Sequence, residues 1–309
     1  RYTLGAPLAT TTASDVFSAG AVSVRHRSFW WDVLVRLVRT KPLGLIGGVI
    51  VVVMIVAAIG APILAPYDYK EIVGSERLKP PSATYFMGTD NLGRDMYSRI
   101  LYGARISLYV GFAAVLLATT AAMLIGVTSA YFGSWFDTIT QRFVDAMQAL
   151  PGLILILTIM ALLGTGTVNV IMAIAFGSAV SGSRIIRSAA LSIKTQPYIE
   201  AARTLGARDS RIIFQHIMPN VMAPAITLAT LGLGGAILAE SSLSFLGFGV
   251  PPDVPTWGGM LSGAGRRWML QAWWMAFFPG LILSLAIFGF NMLGDAMRDL
   301  LDPRLRGGR

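Results

Sequence analysis

The sequence predicts an all-α, polytopic membrane protein with six transmembrane helices, and three observations carry that expectation. Of 309 residues, 54% are hydrophobic and only 13% are charged, where a soluble domain carries roughly 25%. No Asp, Glu, Lys or Arg falls between Lys41 and Asp68, Arg105 and Asp137, Asp145 and Arg184, Arg211 and Glu240, or Arg267 and Asp295. Each stretch holds the ~20 apolar residues that cross a ~30 Å hydrocarbon core. The basic residues are also placed unevenly between the loops. Backbone polar groups in lipid must be paired internally, so each apolar stretch is expected to be helical.

Residues 1–42 form a cytoplasmic tail in this reading. Its first apolar run begins more than forty residues in and is too long for a secretory signal. Residues 29–41 mix Trp30, Trp31, Leu34, Leu37 and Val38 with Arg36, Arg39 and Lys41. That mixture suits an interfacial helix, or equally the flank of the first span. Spans are expected at 43–65, 104–131, 146–164, 168–190, 218–244 and 272–295, within a transmembrane unit of 43–295 and before a cytoplasmic tail of 296–309. Gly44 and Gly48 in the first span are taken as ordinary transmembrane glycines rather than a specific packing motif. The long stretch after Asp145 is divided at Gly164-Thr165-Gly166-Thr167-Val168-Asn169, which reads as a tight turn.

Six spans put both termini on one side. Seventeen of the 25 Lys and Arg then share that side, so both termini are expected to be cytoplasmic. The same topology accounts for the net charge of +9 better than nucleic-acid binding does, because no polar segment interleaves aromatic and basic residues. The absence of Cys excludes disulfides and thiolate metal sites.

The cytoplasmic loop 191–219 carries the strongest signal. Thr195 can cap a short helix, and Pro197 suits its first turn. Tyr198, Ala201, Ala202 and Leu205 then fall at i, i+3, i+4 and i+7 on one apolar face. Gly206 is placed to end the helix in a left-handed conformation. Such a helix is ~12 Å long, too short to span, and its apolar face needs cover.

Glu200-Ala201-Ala202, Gly206 and Ile217-Met218-Pro219 resemble the EAA loop of permease subunits of bacterial ABC importers. His216 and Met218 depart from the usual Ile and Leu. Gly88-Thr89-Asp90-Asn91-Leu92-Gly93-Arg94-Asp95, Ser242-Leu243-Ser244-Phe245-Leu246-Gly247-Phe248-Gly249 with Pro251-Pro252 and Trp257-Gly258, and Leu293-Gly294-Asp295 through Leu301-Asp302-Pro303-Arg304 are similar to segments of the dipeptide/oligopeptide/nickel branch. The resemblance covers roughly residues 30 to 306. It implies a type I importer permease in a bacterial inner membrane. Its implied partners are a second homologous permease, two ATP-binding subunits that hold ATP and Mg, an external substrate-binding protein and the bilayer. Nucleic acid is not among them. It also implies coupling to the ATPase through Glu200, Ala201, Ala202, Leu205, Gly206 and Pro219. Binding-protein docking is expected on the external segments 68–103 and 245–270, which hold most of the external polar residues, with Thr89, Asp90, Arg94 and Trp257 as candidates.

The chain itself lacks energy-coupling and catalytic motifs. None of its four lysines follows Gly, so no Walker A sequence is present. There is no HExxH, no GxSxG, and no cofactor or metal set around His26 and His216. An enzyme is therefore not expected. Glu240, with Ser241 beside it, is the one acid within a span and a candidate pathway residue. The plainer reading places it near the external end of the fifth span, paired with Ser241, Ser242 or a backbone N–H. Asp95 reads first as a helix-capping residue, and Trp257, Trp268, Trp273 and Trp274 as an interfacial belt. A secondary transporter would need more intramembrane ionisable groups than Glu240, and a structural scaffold would not need the EAA spacing. Nickel chelates or other small cargo are alternatives to peptides within the branch.

Overall fold

The computed structural model describes residues 35, 37, 38 and 40–301. Most of the expected interfacial helix, most of the N-terminal tail and residues 302–309 lie outside the described residues, whereas residues 296–301 of the expected C-terminal tail continue the last helix. The long helices are α1 (Pro42–Ile59), α2 (Met96–Phe132), α3 (Ser134–Gln148), α4 (Gly152–Leu163), α5 (Thr167–Lys194), the short α6 (Pro197–Thr204), α7 (Met222–Phe245), the single turn α8 (Trp257–Met260) and α9 (Trp274–Leu301). Among the described residues no strand forms, and Thr89 and Asp95 make an isolated bridge. Five helices are long and apolar enough to span.

The expected third span is corrected. Instead of one helix over 146–164, α3 and α4 form a pair bent by 92°. Pro151 stands at the break, where its ring disfavours helical geometry for the residue before it and removes a backbone donor. Asp137, Gln141, Asp145 and Gln148 fall on one face of α3. Gln141 donates to Ser129 Oγ at 3.1 Å, and Gln148 donates to the Val180 carbonyl at 3.3 Å. Asp137 pairs with Arg187, and Asp145 with Arg184. That polar stripe, legible in the sequence, is the signal that a helix precedes residue 146.

The bent pair nevertheless makes one crossing. Helices α2 and α5 run parallel: Val110 and Ala114 share a cluster with Val170 and Ile174, while Gly126 lies against Ser183, Ile186 and Arg187. At the far end Lys194 reaches the carbonyls of Ala130 and Tyr131. The chain must therefore return between Phe132 and Thr167. It does so stepwise along α5, from the Asp137–Arg187 pair to Asn169, whose amide donates to the Leu163 carbonyl at 2.9 Å. Gly164 and Gly166 take positive φ in that turn, as its residues predict.

The remaining helices alternate in direction. Ile237 of α7 packs on Gly111 of α2, and Gly232 lies beside Val115. Asn291 of α9 meets Gly234, and Leu231 meets Gly294. Helix α1 returns along α9 with Gly47 against Gly289 and Met292, and Gly44 against Ala296. Lys41 and Asp299 close that edge at 2.5 Å. The six crossings place the start of α1, the end of α9 and the loop carrying α6 on one face.

Glycine packing at α1 corrects the expectation for Gly44 and bears it out for Gly48. A Cβ added at Gly44 would lie 2.2 Å from Ala296 Cβ, and one at Gly47 2.7 Å from the Gly289 carbonyl. At Gly48 the nearest atom is 3.7 Å away. Close backbone approach replaces the hydrophobic effect as the source of packing energy between helices in lipid.

Helix α2 starts eight residues before the expected 104. Arg94, Arg99 and Arg105 break the apolar pattern there, yet Asp95 caps the helix by accepting from Ser98 N–H at 2.7 Å. Its 37 residues make a rod of about 55 Å, which extends beyond the hydrocarbon core on the side away from α6.

Candidate functional site

Helix α6 is built as an anchored plug. Pro197 occupies its first turn and Gln196 is its N-cap. The cap expected at Thr195 is not made: that hydroxyl donates to the Ser192 carbonyl at the end of α5. At the other end Gly206 has φ +77°. Its N–H donates to the Arg203 carbonyl and the Ala207 N–H to the Ala202 carbonyl, the paired bonds of a Schellman motif. Nothing lies within 4 Å of a Cβ at Gly206, so its glycine is required by backbone geometry alone.

The residue that anchors α6 is Ile199. It is fully buried among Ile186, Ile212, Ile213 and Ile217, and the apolar spacing did not single it out. The spaced residues face outward instead. Leu205 is 87% exposed and Tyr198 44%, Ala201 and Glu200 are exposed, and Ala202 is half-buried. A π-helix over Ile212–Ile217 precedes the exposed Pro219, which cannot donate to an i−4 carbonyl and so favours this wider turn.

Three contacts fasten this loop to the end of α2. Tyr131 Oη donates to Asp209 Oδ1 at 2.5 Å, and the Arg203 guanidinium stands 5.2 Å from the Tyr131 ring centroid. Lys194 Nζ donates to the carbonyls of Ala130 and Tyr131 at 3.0 and 2.8 Å, which neutralises the negative end of α2. Sequence reasoning missed Tyr131, Asp209 and Lys194 because the partners are 63 to 78 residues apart.

On the opposite face, the Gly-Thr-Asp segment is a folded loop. Asp90 Oδ1 accepts from the N–H groups of Leu92 and Arg94 at 2.8 and 3.0 Å, and Oδ2 from Arg94 Nε at 2.6 Å. Arg99 Nε lies 3.8 Å from the same carboxylate. The Thr89 hydroxyl donates to the Glu76 carbonyl and accepts from Lys79 N–H, while its own carbonyl accepts from Trp274 Nε1. Gly93 has φ +85°, and a Cβ there would lie 1.9 Å from the Val73 carbonyl.

The residues expected to form a docking face are thus mostly interior. Thr89, Asp90 and Trp257 are buried, and Arg94 is nearly so. Their polarity is consumed within the loop, which is why it does not imply exposure. The aromatic belt is corrected on the same ground. Trp257 Nε1 donates to the Ile100 carbonyl at 3.2 Å, and both Trp257 and Trp274 are buried, whereas Trp273 is exposed.

Glu240 is fully buried. It accepts from the hydroxyls of Ser244 at 2.8 Å, Ser107 at 3.2 Å and Ser241 at 3.4 Å. Ser242 donates to the Leu238 carbonyl instead. Ser107 also accepts the Trp257 N–H, and Gly258 lies so close to Ser241 that a Cβ would stand 2.3 Å from its Cα. Glu240 therefore joins α2, α7 and α8. Among the described residues no cation pairs with it, and none of the His, Asp and Glu side chains group as a metal site.

The described residues thus form an alternating six-crossing bundle that presents a short, anchored helix with an uncovered apolar face. The chain belongs to the family described as binding-protein-dependent transport system inner membrane component, which it matches over residues 118–307; residues 28–81 match the N-terminal transmembrane domain of oligopeptide transport permease C. It is 42% identical to a dipeptide transport system permease protein of Alkalihalophilus pseudofirmus, over 90% of each chain. It is 37% identical to the oligopeptide transport system permease protein of Bacillus subtilis, over 95% of this chain and 96% of that one. A glutathione transport system permease protein of Escherichia coli is 38% identical over 90% and 91%. Among solved structures, the MetNI methionine ABC transporter in inward-facing conformations shares the fold with a TM-score of 0.53 at 17% identity, covering 67% of this chain and 97% of that one.

Proposed function

We propose that this chain is one permease subunit of an ATP-driven importer of short peptides. It pairs with a second, homologous permease to enclose the pathway, and receives substrate from a binding protein on the side of the Gly-Thr-Asp loop. Two ATP-binding subunits hydrolyse ATP on the side of α6, and the chain itself performs no catalysis. The observation that supports this reading most is α6: Ile199 fixes it to the bundle while Tyr198, Ala201 and Leu205 stay uncovered. Peptides are the favoured cargo because the dipeptide, oligopeptide and glutathione permeases named above resemble the chain over nine-tenths of its length or more. The face carrying α6, the start of α1 and the end of α9 is assigned to the cytoplasm from its excess of Lys and Arg.

In this reading, closure of the ATP-binding subunits moves α6, and the bundle opens to one side at a time. Binding-protein docking is assigned to the exposed surface of the 68–103 and 245–270 segments, with Thr89, Asp90 and Trp257 holding that surface in shape. Purification of the tagged chain in mild detergent should recover an ATP-binding subunit and a second permease. Recovery of the chain alone, with no ATPase activity in the reconstituted membrane fraction, would reject the reading.

A further inference from the structure

Between the Gly-Thr-Asp loop and the segment after α7 lies a cavity of about 260 Å³. Its charged lining residues are Arg94, Arg99 and Asp90, and Ser244, Thr165 and Asn91 contribute polar groups. Two guanidiniums therefore share one carboxylate. Asp90 engages Arg94 through Nε at 2.6 Å and approaches Arg99 Nε at 3.8 Å. Arg99 spends one further N–H on the Tyr69 carbonyl at 3.0 Å. Each guanidinium has five N–H donors, so terminal donors on both remain without a partner among the described residues. Arg99 is 5% exposed, where a charge left without full compensation is costly.

The cavity thus presents two guanidiniums with spare forked N–H donors, and such donors match a carboxylate in shape and charge.

We infer that this cavity is a binding site on the permease itself for a small carboxylate, such as the C-terminal end of a short peptide. Arg94 and Arg99 take the carboxylate. The volume suits one or two amino-acid residues and excludes a long peptide held end to end. Ser244, which lines the cavity, also donates to Glu240, so an occupant rests one hydrogen bond above the buried acid. The choice of a peptide end as ligand rests on the transport reading above; the carboxylate site does not.

The test uses the complete transporter in lipid nanodiscs without its binding protein, titrated with dialanine, dialanine amide and propionate. Dialanine should bind in the millimolar range or tighter, and its amide about tenfold more weakly, since only the acid carries the full charge. Arg94→Gln should weaken dialanine and propionate alike, by about tenfold. Equal binding of dialanine and its amide to the unaltered transporter overturns the proposal whether or not Arg94→Gln folds. If propionate depends on Arg94 while dialanine is never imported, the carboxylate site stands and the peptide reading falls. If dialanine is imported but no carboxylate binds, the site falls and the peptide reading stands.

Discussion

Asp90 and Gly206 carry the clearest consequences at the scale of single residues. The motif makes Asp90 a candidate docking contact, but its carboxylate takes three hydrogen bonds from its own loop and is shared between two arginines. Asp90→Ala leaves Arg94 and Arg99 uncompensated in a buried setting. Breaking such a pair costs about 3–5 kcal/mol, so the loss should appear as a lower melting temperature and as protease cleavage within residues 70–95. A variant as stable and protease-resistant as the parent would return Asp90 to a purely surface role. Gly206 is different, because its surroundings are empty and only its φ of +77° matters. Gly206→Asp costs roughly 1–2 kcal/mol for the left-handed backbone, plus about 0.3–1 kcal/mol for a negative charge at a helix C-terminus. That is too little to unfold six packed crossings and enough to displace α6. Membrane insertion should survive while binding-protein-stimulated ATP hydrolysis of the reconstituted complex falls severalfold; unchanged stimulation would remove α6 from the coupling path.

Among the elements, α1 and α9 show where sequence patterning stopped being informative. Periodicity and charge-free length located five of the six crossings and the Gly164–Asn169 turn, because those signals depend on the bilayer and not on neighbours. They did not reveal that Gly44 and Gly47 face α9, since helical glycines look alike until a partner backbone is present. The expected third span failed for a related reason. Asp137 and Asp145 stand at helical spacing in the sequence, but their pairing with Arg187 and Arg184, which holds that helix on α5, depends on a neighbour the sequence does not show. Likewise the EAA spacing located α6 but not its anchor Ile199, nor the burial of Thr89, Asp90 and Trp257. Two alanine substitutions separate packing glycines from incidental ones. Gly44→Ala forces a contact of 2.2 Å against Ala296, and overpacking of that kind costs about 1–3 kcal/mol. Gly48→Ala meets nothing closer than 3.7 Å and, by higher helix propensity, should be neutral or slightly stabilising. Melting of the two variants in detergent should differ in that order, and equal melting would mean that the α1–α9 contact does not limit stability.

Across the whole molecule, α2 connects the Gly-Thr-Asp loop on one face to the α6 loop on the other as one unbroken rod. Its start is capped by Asp95 beside the Gly-Thr-Asp loop, Ser107 holds Glu240 in its middle, and Tyr131 meets the α6 loop at its end. No Pro interrupts it, so displacement at one end is carried to the other rather than absorbed by a kink. The α6 loop grips this rod by the Tyr131–Asp209 hydrogen bond and the cation–π contact of Arg203 with the same ring. Tyr131→Phe removes the hydrogen bond and keeps the ring, whereas Tyr131→Ala removes both. A hydrogen bond to a charged partner contributes about 1.5–3 kcal/mol, and an exposed cation–π contact about 0.5–1 kcal/mol. If the grip transmits the stroke, Tyr131→Phe should cut transport per ATP hydrolysed severalfold and Tyr131→Ala should cut it further, while co-purification of the ATP-binding subunit stays intact because Tyr198 and Leu205 are untouched. Asp209→Asn, which keeps an acceptor for the hydroxyl, should restore part of the loss seen when Asp209 is replaced by Ala. Measured in proteoliposomes as substrate imported against phosphate released, an unchanged ratio in Tyr131→Ala would show that the loop drives the bundle through α5 and α7 instead, and that α2 follows passively.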